Sequence, residues 1–156
     1  MTTSHVHQID LESLSPDERA IAEIELEMAS AQGVEGITRA WDDNAVYFDF
    51  GPKEIVGKAA ATAEIDAQFK YVTNLRTKIV RIRIRADGDV GYAFSTQHFI
   101  ADGQNGGPDC SFIFRETDVF ERQDGQWRLV HQHLSFPADL TNGTVVLGTA
   151  DPLVTE

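Results

Sequence analysis

Thr117-Asp118-Val119-Phe120-Glu121-Arg122-Gln123-Asp124-Gly125-Gln126-Trp127-Arg128-Leu129-Val130-His131-Gln132-His133-Leu134-Ser135 consists of two alternating runs joined by Asp-Gly. Apolar side chains at every second position are the mark of a strand with two unlike faces, and Asp-Gly between such runs signals a hairpin. Working outward, strands are predicted over residues 110–122 and 126–136, and upstream over 73–86 and 90–101 around Asp87-Gly88-Asp89. Four long strands in succession make a curved antiparallel sheet, one face of which needs a cover. The Gly-rich stretch from Asp102 to Pro108 lacks phosphate-loop spacing and opens no helix, so it reads as a hairpin loop.

The N-terminal half supplies the cover. Ser15-Pro16-Asp17-Glu18 combines an N-cap serine, a proline at the first helical position and an acid three residues after the cap. Ile21, Ile24, Met28 and Ala31 follow at helical spacing, which predicts a helix over 15–32 ended by Gly33. A short helix over 34–41 places Ile37 and Trp41 on one face, and Asp42-Asp43-Asn44 breaks it. Residues 45–50 read as a strand stopped at Gly51-Pro52, and Ala61, Ile65 and Phe69 mark a third helix over 58–71. The expected class is α+β, in the order α-α-β-α-β-β-β-β. The expected organisation is a loosely ordered arm over 1–14, one domain over 15–137 and a tail over 138–156.

Composition narrows the function. The chain has 156 residues, with 13 Lys plus Arg against 25 Asp plus Glu and a formal charge of −12. That excess repels phosphate backbones and anionic lipid, so neither nucleic acid nor a membrane is the expected partner. Arg81, Arg83 and Arg85 alternate with apolar residues and read as a solvated or interface-lining strand face. The start of the chain lacks the basic and apolar segments of a secretory signal, no apolar run is long enough to span a membrane, and Cys110 is the single cysteine. A cytoplasmic protein is expected.

Trp41-Asp42-Asp43-Asn44-Ala45-Val46, running on to Gly57, and the stretch from Thr117 to Ser135 together resemble the nuclear transport factor 2-like superfamily of cone-shaped α+β folds, over about residues 15–137. The second stretch is especially similar to the SnoaL-like branch and to the calcium/calmodulin-dependent kinase association domain. The resemblance implies a curved sheet wrapped around N-terminal helices and enclosing an apolar pocket. It also implies isomerase-like, cyclase-like or dehydratase-like chemistry on a small apolar ligand, without metal or organic cofactor. Because one fold hosts enzymes, binding proteins and assembly modules, the alternative is a ligand-binding or homodimeric module.

Which residues meet the ligand depends on strand parity. A two-residue turn at Asp124-Gly125 aligns Arg115 and Thr117 with Gln132, whereas a bulged turn aligns Asp118 with Val130 and Gln132. The resemblance favours the bulge. The expected pocket walls are then Trp41, Phe48, Phe94, Thr96, Phe112, Phe114, Glu116, Val130, Gln132 and Leu134. Tyr47 and Asp49 lie two apart on one strand face, like the Tyr-x-Asn pair of the superfamily's epoxide hydrolase, and a carboxylate in an apolar pocket gains basicity. Asp49 is therefore the first candidate base and Asp118 the second, with His98 as a proton relay and Tyr47 as a donor to developing oxyanion charge. His131-x-His133 offers two imidazoles without a third ligand, so no metal site is expected. Trp127 reads as a packing residue. With Leu129, His131 and His133 it is expected on the convex sheet face, where two copies would pair.

In ketosteroid isomerase a tyrosine on the first helix helps to hold the oxyanion, and residues 15–32 contain none. The position of that enzyme's base is taken by Phe48, and the epoxide hydrolase's last-strand acid by Gln132. Neither of those two reactions is expected.

Overall fold

A computed structural model describes residues 10–148. The expectation for the N-terminal arm falls mostly on residues 1–9, and that for the end of the tail on 149–156; both lie outside the described residues. Helix α1 (Pro16–Ser30) opens on the complete capping box: Ser15 Oγ accepts from Glu18 N, and the Glu18 carboxylate accepts from Ser15 N. Helix α2 (Val34–Thr38) is a single short turn, because the chain has already turned into β1 (Trp41–Phe48). Strand β2 (Glu54–Val56) and helix α3 (Lys58–Phe69) follow. Then come β3 (Val72–Asp87), β4 (Val90–Gly103), β5 (Cys110–Gln123) and β6 (Gln126–Ser135), close to the predicted bounds.

The sheet has six strands in the order β2-β1-β6-β5-β4-β3. It is antiparallel except where β1 lies parallel to β6, a pairing the hairpin pattern did not reveal. The helices cover one face, and a core of Ile21, Ala22, Trp41, Ala45, Ile65, Ile84, Phe120, Trp127 and Leu129 fills the space between. Part of the tail is a small hairpin of β7 (Ala138–Asp139) and β8 (Thr144–Val145). Beyond it, the Gly148 carbonyl accepts from Ile113 N, where β6 has already ended. Among the described residues, no helix is long and apolar enough to cross a membrane.

Two local features set the parity of the sheet. Asp124 and Gly125 both have positive φ (50° and 77°) between the paired Gln123 and Gln126, so the turn has two residues rather than three. The extra residue is Val130, since Val119 pairs with His131 and Phe120 with Leu129. A bulge flips the side chains that follow it. Trp127 and Leu129 therefore point into the core rather than to the convex face, whereas Gln132 and Leu134 point inward beyond the bulge. Asp118 pairs with Gln132 as expected, through a bulge in the strand and not in the turn.

Parity on β4 is the reverse of the expectation. Gly91, Ala93, Ser95 and Gln97 are the buried set, whereas Tyr92 and Phe94 are 43% and 45% exposed on the outer face. The inner face is small-sided because α1 lies directly over it: a Cβ on Gly91 would collide with Ile21 Cδ1 and stand 3.1 Å from the Arg85 carbonyl oxygen. Ile21 is fully buried and the second neighbour is backbone, so neither yields easily. Gly91→Ala is expected to destabilise the fold by about 1–3 kcal/mol, read as a lower urea midpoint at unchanged slope.

Candidate functional site

Between α1, α3 and the inner sheet face lies a cavity of about 250 Å³. Its walls are apolar, including Met28, Ile65, Leu75, Phe99, Phe112, Phe114 and Leu134, and its polar lining includes Tyr47, Gln97, Glu116 and Gln132. A cavity with mostly apolar walls and a few convergent polar groups is the ordinary form of a small-molecule site. At the outer end the Phe50 and Phe136 rings stack at 4.1 Å, and Phe112 packs on both Phe50 and Phe136.

Behind the polar lining sits a cluster of acids. Glu116 and Asp118 come from β5, two residues apart on one face, and Glu25 comes from α1, one turn beyond Ile21 on the stripe that meets the sheet. One carboxylate oxygen from each lies within 4.8 Å of the other two. Glu25 and Asp118 are each 1% exposed, and their carboxyl groups face one another, with the Gln132 amide beside Asp118. Glu116 Oε1 accepts from Gln97 Nε2 at 2.7 Å, and the same amide nitrogen is 2.9 Å from Ser95 Oγ. Ser95 and Gln97 thus belong to the site through the β4 face that the sequence reading placed outward.

Like charges so close and so dry cannot all ionise. Burial, followed by the charge of Glu116, pushes the Glu25 carboxyl up to about 8. Burial and the charge of Asp118 hold Glu116 well above the usual carboxylate range, the Gln97 hydrogen bond opposing them. Burial and the charge of Glu25 do the same for Asp118, opposed by the Gln132 amide. In all three carboxyls the neutral form is favoured over its ordinary balance. Ionised, the same three groups would offer a hard cation one ligand atom each.

The other sequence candidates fall into three groups. Tyr47 is buried and lines the cavity, but its hydroxyl donates to Asp49 Oδ1 at 2.8 Å, so its proton is already committed. Burial and the neighbouring Asp49 charge hold that phenol well above its ordinary range. Asp49 also accepts from Phe50 N at 2.7 Å and from Gln68 Nε2 at 2.6 Å, and lines a neighbouring recess that shares Phe50 and Gln68 with the cavity. Phe112, Phe114, Glu116, Gln132 and Leu134 line the cavity itself, whereas Asp118 lies behind Glu116.

The third group lies elsewhere. Phe94, Thr96 and His98 are on the outer face of β4, where His98 Nε2 meets Ser111 Oγ at 2.9 Å. Phe48 also faces outward, packed edge-on against His131 and His133. Trp41 is a core residue packed edge-on against Tyr47, and Val130 is the bulge residue; neither lines the cavity. Glu25 was missed altogether, although its place between Ile21 and Met28 on an apolar helical stripe was a readable signal.

A family model described as a SnoaL-like domain matches residues 19–139. No curated protein matches the chain. Among solved structures, the chain is similar to a nuclear transport factor 2-like protein of unknown function from Pseudomonas putida KT2440. The identity is 23%, over 84% of this chain and 94% of that one, with a TM-score of 0.74. It is also similar to a protein of unknown function from Mycobacterium tuberculosis, at 21% identity over 90% and 86% with a TM-score of 0.68. A third is a ketosteroid isomerase-like protein from Erwinia carotovora atroseptica, at 14% identity over 78% and 97% with a TM-score of 0.64. At these identities the structures establish the shared cone fold and no activity.

Proposed function

Because the chain belongs to the SnoaL-like domain family, we propose that it is a small-molecule enzyme performing acid/base proton transfer on a compact apolar substrate with a carbonyl or hydroxyl group. The observation that carries this reading is Glu116: an acid in the lining of a mostly apolar cavity, backed by two fully buried acids with an oxygen each within 4.8 Å. In its protonated form Glu116 donates to a substrate oxygen, polarising a carbonyl or protonating a leaving hydroxyl. In its ionised form it takes a proton from the carbon beside a carbonyl; the C–H pair becomes a C=C bond and the carbonyl π pair moves onto oxygen, giving an enolate. Isomerisation, cyclisation and dehydration all use one or both of these steps. Asp118 and Glu25 act through Glu116, setting its proton occupancy, while Asp49 and Tyr47 hold each other at the cavity edge.

Native mass spectrometry of freshly purified protein, with a denatured run to release any small molecule, tests the reading. One apolar carbonyl or hydroxyl compound per chain, lost in Leu134→Trp, which would fill the cavity, is the expected result. An empty chain that also fails to bind any member of a panel of aryl ketones and alcohols overturns it.

The rival reading is a homodimeric module paired through the outer sheet face. The stacked and exposed Tyr92 and Phe94 support it, with centroids 6.1 Å apart. Sedimentation as a monomer at micromolar concentration, in wild type and in a Tyr92→Ser, Phe94→Ser variant alike, would remove this reading.

A further inference from the structure

The cavity joins two features that a neutral ligand does not explain together. Phe50, Phe99, Phe112 and Phe114 contribute rings to its walls, and the lining contains Glu116 but no Lys, Arg or His. Aromatic faces carry negative potential and attract cations, most strongly where water is excluded. The lining acid has two more carboxyls within 4.8 Å and no basic partner among the lining residues. Walls and acid therefore favour the same sign of ligand charge, and an anionic ligand would meet both unfavourably.

A mechanistic difficulty points the same way. Burial and Asp118 push the Glu116 carboxyl well above its ordinary range, which favours the form that cannot accept a proton from carbon. A neutral ketone or alcohol entering the cavity displaces water and leaves that balance unchanged or worse. A ligand bringing its own positive charge stabilises the ionised carboxylate and releases one proton from the cluster to solvent. Such a substrate would produce the base that its own reaction needs.

We propose that the ligand of this cavity carries a protonated amine, seated among the phenylalanine rings with its charge directed to Glu116. The proposal rests on the proton-transfer reading of the same cavity and narrows its substrate class to amino ketones or amino alcohols.

Isothermal titration at neutral pH with benzylamine, benzyl alcohol and benzoate tests it, because the three differ mainly in charge. The ammonium is expected to bind at least about tenfold more tightly than the alcohol, and benzoate most weakly. Repeating the benzylamine titration in buffers of different ionisation heat should show release of up to one proton, which a purely apolar contact would not give. Glu116→Gln should remove both the preference and the proton release while keeping affinity for benzyl alcohol. That retained affinity also shows that the variant is folded. Binding of the alcohol equal to or tighter than the amine overturns the cation proposal and leaves the cavity reading standing. Failure of all three probes to bind overturns both.

Discussion

Glu25→Gln is expected to stabilise the protein above neutral pH, although it alters a fully buried side chain. The unfolded carboxyl titrates near its ordinary value of 4.5, and the folded one is pushed up to about 8. Between those values the folded chain binds more protons than the unfolded chain, so stability falls as pH rises through that window and levels off above it. At pH 7, about 2.5 pH units above the unfolded value, the penalty from this one group is roughly 3 kcal/mol. A glutamine of the same shape escapes it, and its amide N–H can donate to the Asp118 carboxyl that Glu25 already faces. For a chain of this size about 1 kcal/mol moves the melting temperature by about 2–4 °C, so the variant should melt roughly 10 °C higher at pH 8 and near wild type at pH 5. Calorimetry from pH 5 to pH 9 measures this. A variant that melts lower than wild type at pH 8, or an offset that does not change with pH, would show that the carboxyl is not held neutral by burial.

A natural sequence that carries this penalty retains it against the easier choice of an apolar residue. Leucine at position 25 would continue the stripe of Ile21, Met28 and Ala29 against the sheet. Sites that break a local rule in this way concentrate where function needs them.

That break also explains how much of the molecule could be read from sequence. The Asp-Gly hairpins, the capping box at Ser15 and the alternation on β5 each carry a local cause, and the structure forms all three. On β5 the inner face of Phe112, Phe114, Phe120 and the acids between them follows from the family resemblance, because the alternation alone leaves both parities open and the two-residue turn by itself points to the other one. On β4 the same logic fails: Tyr92 and Phe94 look like core residues and are exposed, whereas Gly91, Ala93 and Ser95 look like surface residues and are buried. Side-chain size there follows the room left under α1, and that distance is a tertiary property absent from any one strand. The bulge at Val130 is equally illegible, because β-branched and apolar residues occupy both strand faces around it. Glu25 is hidden from the sequence for the opposite reason: its charge suggests solvent, and only the way α1 lies across the sheet brings it to Glu116 and Asp118. Asp49 illustrates the remaining limit, since its neighbours in sequence suggested an isolated base and its neighbours in space are three hydrogen-bond donors.

The separation of Asp49 from Glu116 leads to the largest expected change in activity. If Glu116 moves the proton, hydrogen–deuterium exchange at the carbon beside a carbonyl should be catalysed whether or not the full reaction of a given ketone is completed. In deuterated water, ¹H NMR follows the loss of that signal for phenylacetone and for phenacylamine, whose reactive carbon lies between carbonyl and ammonium. Glu116→Gln should lower the catalysed rate by about 10²–10⁴, the usual contribution of a positioned general acid or base. Asp49→Asn keeps the acid in the cavity and should change the rate far less, and His98→Ala, on the opposite face of the sheet, should leave it unchanged. Asp118→Asn provides the internal control: it removes the neighbouring carboxyl that, beside burial, raises Glu116, so the rising limb of the pH–rate profile should move to lower pH. A structural role for Glu116 would depress the rate at every pH and leave that limb in place. Exchange that survives Glu116→Gln and disappears in Asp49→Asn would transfer the catalytic role to the Tyr47–Asp49 pair in the neighbouring recess.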